Sequence, residues 1–270
     1  MSPIEPTAHT SSIAFGDGDG LLIPASARIA DIANDVLVRS PYALLAVACE
    51  HDCATGHSEA TLADCIAPAT KCVRLGDGMM CALSGTATCA AKDPGAELHS
   101  IIGDGPCWKV NRTATSIAMV ALDAEFQVSS SEGSDRMSAD EFFALHGSAS
   151  SAESRMKAAV LMVRLPAIAA GGLQRLFSAQ GRDATASICL AAARRADGDV
   201  RLVLGGVATR PYRVYTSVEE EAMAGGLDED TIAGLADRAL LDAETDPRTA
   251  DQVEAAATLL RRAIEEIAAS

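Results

Sequence analysis

The chain has 270 residues, a formal net charge of −15, 49% apolar residues and only 3% aromatic residues. That length can bury one large core or two modest ones. An acidic chain without clustered Lys and Arg, and without aromatic stacking platforms, is unsuited to binding nucleic-acid phosphates or single-stranded bases. No apolar run approaches the roughly 18 residues of a membrane span. Residues 1–12 show neither a basic stretch followed by an apolar one nor a twin arginine, so a soluble protein with no export signal of its own is expected.

Residues 13–23 (IAFGDGDGLLI) predict two short strands around a Gly/Asp turn. Ser26 is expected to cap a short helix carrying Ile29, Ile32 and Ala33, and a second helix runs through Tyr42, Leu44, Leu45 and Val47. Ser116 to Asp123 is apolar and helix-like, and Glu125 to Ser129 is strand-like. Ser138 and Glu141 form a capping-box pattern at the start of another helix. The small polar run 147–154 (GSASSAES) reads as a linker. Beyond it, 160–165, 186–193 and 200–207 predict three strands. Asp228 opens a helix with Ile232, Leu235, Ala236 and Ala239 on one face. Thr249 and Gln252 form a capping box ahead of Val253, Ala256, Leu260, Ile264 and Ile267. Strands followed by helices indicate a small α+β unit. Gly205-Gly206 follows a strand and is read as a structural turn rather than a phosphate loop.

Cysteine is the unusual residue. There are eight: Cys49, Cys53, Cys65, Cys72, Cys81, Cys89 and Cys107 lie close in sequence, and Cys189 stands apart. Buried core thiols, disulfides and metal-binding thiolates all compete as explanations. The stretch from Cys72 to Cys107 is rich in Gly, Asp and Pro and has no sustained period. So long a structureless segment suggests that something orders it. Its wide cysteine spacing and lack of finger-like His fit an iron–sulfur cluster better than zinc.

The segments CWKVNRTATSIAMVALDAEFQV (107–128), RMSADEFF (136–143) and VRLVLGGVATRPYRV (200–214) resemble the FAD-binding medium subunit of the xanthine dehydrogenase/molybdenum hydroxylase family. The resemblance is nearest to the periplasmic aldehyde oxidoreductase type, whose medium subunit holds an extra [4Fe-4S] cluster on an inserted loop. It implies an α+β architecture: a truncated FAD-binding (PCMH-type) α/β domain at 12–146 with an inserted iron–sulfur loop at 72–107. A smaller α+β domain at 155–268, with an antiparallel three-stranded sheet and helices, would follow. Thr70-Lys71-Cys72, Cys81, Cys89 and Cys107 stand where that type has its four cluster ligands, so these four cysteines are the expected metal site. Cys49, Cys53, Cys65 and Cys189 are expected to be core thiols.

The family's flavin elements are altered. No A-G-G-T-D-like phosphate loop occurs in residues 1–24. The second loop, A-T-x-G-G-N in the family, reads Ala60-Thr61-Leu62-Ala63-Asp64-Cys65. Its P-S-D reads Arg112-Thr113-Ala114, and the later Y-L-K reads Phe177-Ser178-Ala179. Loss of FAD is therefore expected. The resemblance implies a non-catalytic electron-transfer subunit of a heterotrimeric aldehyde or xanthine dehydrogenase type oxidoreductase, relaying electrons through the [4Fe-4S] cluster. Its partners would be a large molybdopterin subunit and a small [2Fe-2S] subunit, with a cytochrome or similar one-electron acceptor. The location would be cytoplasmic, or periplasmic if exported with a partner subunit. A FAD-binding flavoprotein subunit and a cofactor-free scaffold are the alternatives.

Overall fold

The computed structural model describes residues 12–16, 20–66, 89, 100–103, 107–130, 133–147, 159–168, 172–180, 187–244 and 249–270. The mixed helix and sheet architecture expected from the sequence is present, and both sheets are antiparallel.

The first sheet has the order β1-β2-β5-β3-β4. Its strands are β1 (Ala14–Phe15), β2 (Leu21–Pro24), β3 (Glu125–Ser130), β4 (Gly133–Ser138) and β5 (Ala159–Leu165). The strand at 159–165, expected to open the second unit, instead pairs with β2 and β3. Inward-facing Leu21, Ile23, Phe126, Val128, Val163 and Leu165 join one hydrophobic core. Helix α1 (Ile29–Asn34) buries Ile29, Ile32 and Ala33 as its spacing predicts, but its N-cap is Arg28 rather than Ser26. After the single turn α2 (Val36–Arg39), α3 (Ala43–Asp52) buries Leu44, Leu45, Ala48 and Cys49 in the same core. A kinked turn over Cys53–His57, with Gly56 at a φ of +102°, and the short α4 (Leu62–Ile66) complete this layer.

Helix α5 (Ala114–Ala121) has all eight residues buried, six of them apolar and the other two, Thr115 and Ser116, hydrogen-bonded through their hydroxyls. It lies between α3 on one side and the second sheet on the other. The capping box predicted at Ser138 is realised ahead of α6 (Ala139–Gly147). Glu141 Oε2 accepts from the Ser138 amide at 2.8 Å, and the Glu141 amide donates to the Ser138 hydroxyl at 3.2 Å. Phe142 and Phe143 meet Phe126 edge to face.

The second sheet has four strands rather than three: β6 (Gln174–Gln180), β7 (Ser187–Arg194), β8 (Val200–Gly205) and β9 (Tyr212–Arg213), in that order. It is covered on both faces, so β7 is apolar on both alternating sets. Ile188, Leu190 and Ala192 face α9 (Ala250–Ala268), in a core shared with α7 (Thr216–Ala222) and α8 (Glu229–Ala239). Cys189, Ala191 and Ala193 face α3 and α5. Asp228 caps α8 by accepting from Thr231 N–H at 2.8 Å. The capping box predicted at Thr249 does not form, because the Gln252 side chain donates instead to the Gly206 carbonyl at 2.7 Å. The predicted linker at 147–154 lies almost wholly outside the described residues.

Candidate functional site

Two of the three stretches that carry the resemblance, 107–128 and 200–214, meet where α5 begins against the turn after β8. Asn111, three residues before α5, donates its amide to the Ala208 carbonyl at 2.8 Å, and its own carbonyl accepts from Gly206 N–H at 2.7 Å. Gly205 packs on Ile117, where an added Cβ would come 3.1 Å from Cγ2. Gly206 has a φ of +83°, a left-handed conformation that favours glycine. With its amide taken by Asn111 and its carbonyl by Gln252, this Gly-Gly pair serves as a structural turn.

Helix α5 does not cap itself, since Thr113 at the N-cap offers its amides no side chain. Asp52, at the last position of α3 and fully buried, supplies the cap. Its Oδ1 accepts from Ala114 N–H and its Oδ2 from Thr115 N–H, both at 2.8 Å. Two amide donors and the positive end of a helix dipole hold this carboxylate in a site that would otherwise be costly for a charge. It occupies the N-terminus from which the family's P-S-D carboxylate is missing in sequence. Around it, Asn111 Oδ1 accepts from Thr113 N–H at 3.1 Å and from the Ser116 hydroxyl at 2.9 Å. The Thr113 hydroxyl donates to the Cys65 carbonyl at 2.9 Å, tying α4 to the same knot.

His51 stands beside this cap. Its Nδ1 is 3.7 Å from Asp52 Oδ1, and its Nε2 is 3.6 Å from the Cys189 sulfur on β7. The neighbouring Asp52 carboxylate, helped by the contact with Cys189, raises the imidazole pKa to about 10. Burial pushes the Cys49 thiol well up, even though the Thr115 hydroxyl donates to its sulfur at 3.7 Å. Cys53 is also raised, first by burial and then by Asp52. Nothing in the residue spacing could announce the His51–Cys189 contact, because the partners are 138 positions apart.

An ionic seam joins the same layers further along. Arg201 donates to the Val120 carbonyl at the end of α5 at 3.0 Å and pairs with Asp123 at 2.8 Å and Asp140 at 3.3 Å. Arg195 shares Asp123 at 2.9 Å, and Arg213 is bound by the buried Glu219 at 2.7 Å.

The segment 60–65 offers a direct test of fit to a flavin diphosphate. Backbone amides that cradle phosphate must point outward uncommitted. Here Leu62 N–H donates to the Ala27 carbonyl and Ala63 N–H to the Ala25 carbonyl, both at 2.8 Å. Thr61 N–H donates to Asp64 Oδ2 at 2.9 Å, Asp64 N–H to the Thr61 hydroxyl at 3.2 Å, and Cys65 N–H to the Thr61 carbonyl at 3.2 Å. Every amide from Thr61 to Cys65 is spent, and Asp64 adds a negative charge. This segment as folded does not fit a diphosphate.

Of the four cysteines expected as cluster ligands, Cys72 and Cys81 lie outside the described residues. Cys89 and Cys107 are both half-buried. The Cys89 sulfur accepts from Trp108 N–H at 3.4 Å, which sets it against the residue that follows Cys107. Among the described residues, no three His, Cys, Asp or Glu side chains are grouped to hold a metal ion. None of the described helices is long and apolar enough to cross a membrane.

No family model matches the chain. Over 212 residues, or 75% of its length, it is 29% identical to the FAD-binding subunit PaoB of an aldehyde oxidoreductase from Escherichia coli (strain K12), taking in 66% of that protein. Carbon monoxide dehydrogenase from Hydrogenophaga pseudoflava shares its fold, with a TM-score of 0.59 at 18% identity, over 94% of this chain and 75% of that one. Quinoline 2-oxidoreductase from Pseudomonas putida 86 does so with a TM-score of 0.57 at 17% identity, over 96% and 78%. The chain is thus similar in sequence to a FAD-binding subunit of an aldehyde oxidoreductase and similar in fold to these solved structures. These likenesses also correct the cofactor expected from the sequence. The curated relative is named for FAD, and neither the comparisons nor the described residues give evidence of a [4Fe-4S] cluster on Cys72, Cys81, Cys89 and Cys107.

Proposed function

We propose that this chain is the FAD-binding-type medium subunit of a multi-subunit molybdenum hydroxylase, acting beside a large molybdopterin subunit that carries the substrate chemistry. The observation that carries the reading is the joining of 107–128 to 200–214. Asn111 is bonded through its backbone to both Gly206 and Ala208, so two of the stretches that resemble the family form one structural unit. The sequence match to a FAD-binding subunit over 75% of the chain supports the same reading. FAD is the cofactor this reading assigns to the complex. Because the amides of 61–65 are already bonded within the chain, this reading assigns the diphosphate contacts to other residues of the chain or to a partner subunit. The chain's own contribution is structural: Asp52 and Asn111 fix the start of α5 against the turn after β8.

The test is co-purification. A tagged chain expressed with its genomic neighbours should bring down a molybdopterin-containing subunit in fixed proportion, and the complex should release FAD on denaturation. A chain that purifies alone from that expression would overturn the subunit reading. An intact complex containing molybdopterin but no FAD would overturn the cofactor assignment and leave a scaffold.

A further inference from the structure

Cys189 differs from the chain's other described thiols in what faces its sulfur. The alternation of β7 turns it toward α3 and away from the helices on the other side of the sheet. There it meets His51 Nε2 at 3.6 Å. The imidazole is presented by the last turn of α3, just before the kinked turn Cys53–His57, and its enclosed Nδ1 has no hydrogen-bond partner. Asp52 stands 3.7 Å from that nitrogen, immobilised by two α5 amides. Sulfur, imidazole and carboxylate thus form a short line from β7 to the start of α5. The thiol and the imidazole are close enough to pass a proton between them, with a carboxylate charge 3.7 Å beyond the ring.

We propose that Cys189 is a peroxide-reactive thiol, oxidised to a sulfenic acid by a small hydroperoxide with His51 as its proton donor. In the reaction His51 holds the thiol proton on Nε2, and the Cys189 thiolate attacks one oxygen of hydrogen peroxide. An S–O bond forms and the O–O bond breaks. The leaving hydroxide takes the Nε2 proton and departs as water. Sulfur is oxidised by two electrons, the peroxide is reduced by two, and His51 ends neutral beside the sulfenic acid.

Position also limits the oxidant. Cys189 is 2% exposed, while the His51 side chain is 17% exposed and forms the outer edge of the site. An oxidant therefore has to reach the sulfur from the imidazole side, and the proposal is confined to a small hydroperoxide. Cys49 and Cys53 serve as internal standards. Their thiol forms are favoured by burial and by the nearby Asp52 charge, and thiols react far more slowly than thiolates. The inference is independent of the reading as an FAD-binding subunit, because every group involved belongs to this chain.

The purified full-length chain, alone or in its complex, is exposed to dilute hydrogen peroxide for timed intervals and quenched with catalase. The surviving thiol at each cysteine is then counted by alkylation after denaturation and by peptide mass spectrometry, so burial does not affect the readout. Cys189 should be consumed about tenfold faster than Cys49, Cys53 or Cys65, and His51→Gln should slow it about tenfold without altering those three. A melting curve establishes that His51→Gln is folded. Should it not fold, the ranking of thiols in the unaltered chain decides by itself. Loss of Cys189 no faster than the other three, or equal loss in folded His51→Gln, overturns the proposal.

Discussion

In the five-stranded sheet, Phe126 and Val128 enter the core while Glu125 and Gln127 turn the other way. In β7 and β8 of the four-stranded sheet both alternating sets are buried: Ile188, Leu190, Leu202 and Leu204 on one face, Cys189, Ala191 and Val203 on the other. A sheet covered on one side tolerates polar and charged residues along each strand. A sheet covered on both must account for each polar group it contains. The exceptions in the second sheet are therefore informative. Arg201 is matched by Asp123, Asp140 and the Val120 carbonyl, and Cys189 is matched by His51.

The largest effect that could break this contrast is Leu202→Ala. Leu202 is fully buried between the second sheet and its helices, and its truncation should cost about 2–5 kcal/mol, measured as a lower urea midpoint. A loss under about 1 kcal/mol would mean that this face is not covered as described.

Asp52→Ala should come next. It leaves the amides of Ala114 and Thr115 buried without acceptors, at about 2–3 kcal/mol in the same measurement. Asp52→Asn keeps one acceptor oxygen, so it should lose less. It should also return the His51 pKa toward the ordinary imidazole range, seen in the proton NMR titration of its ring.

A pH series tests the polar side of the seam without any substitution. The folded chain favours the imidazolium form of His51, with a pKa near 10 against an ordinary value of 6.5. Its stabilising contribution is complete below pH about 6.5 and fades as the pH rises through about 10. The melting temperature should fall by several degrees between those limits. His51→Gln should flatten that part of the curve, and an unchanged slope would show that the Asp52 and Cys189 contacts do not hold the charge.

Which features could be seen in the sequence follows the same division. Local periodicity and capping chemistry gave β7, α5, α8, α9 and the Ser138–Glu141 box, because each depends on residues a few positions apart. Strand β6 escaped notice because QRLFSAQ lacks a clean apolar alternation. The placing of 159–165 was misread because strand pairing is non-local, and β5 finds its neighbours in β2 and β3. The cap of α5 comes from Asp52, 62 positions upstream of Ala114, so the altered Arg112-Thr113-Ala114 looked like a lost carboxylate when another occupies that helix end. At 60–65 the changed residues are visible in the sequence, but only the fold shows that the amides are bonded to Ala25, Ala27, Thr61 and Asp64. The cysteine register, by contrast, carried no such physical constraint and misassigned the cofactor.

The smallest expected effect is on the outward face of the first sheet. Gln127 is half-exposed on β3, between Met162 of β5 and Arg136 of β4, and its side chain makes a long 3.3 Å hydrogen bond to Ser134. Gln127→Thr removes that weak bond but places a β-branched residue in a central strand. The two terms oppose, and stability should change by no more than about 0.5 kcal/mol in the isolated chain. In a purified complex the same substitution has a second use. If it weakens assembly while leaving the free chain's melting temperature unchanged, a partner covers this face. The first sheet would then be two-sided in the assembly, as the second already is within the chain.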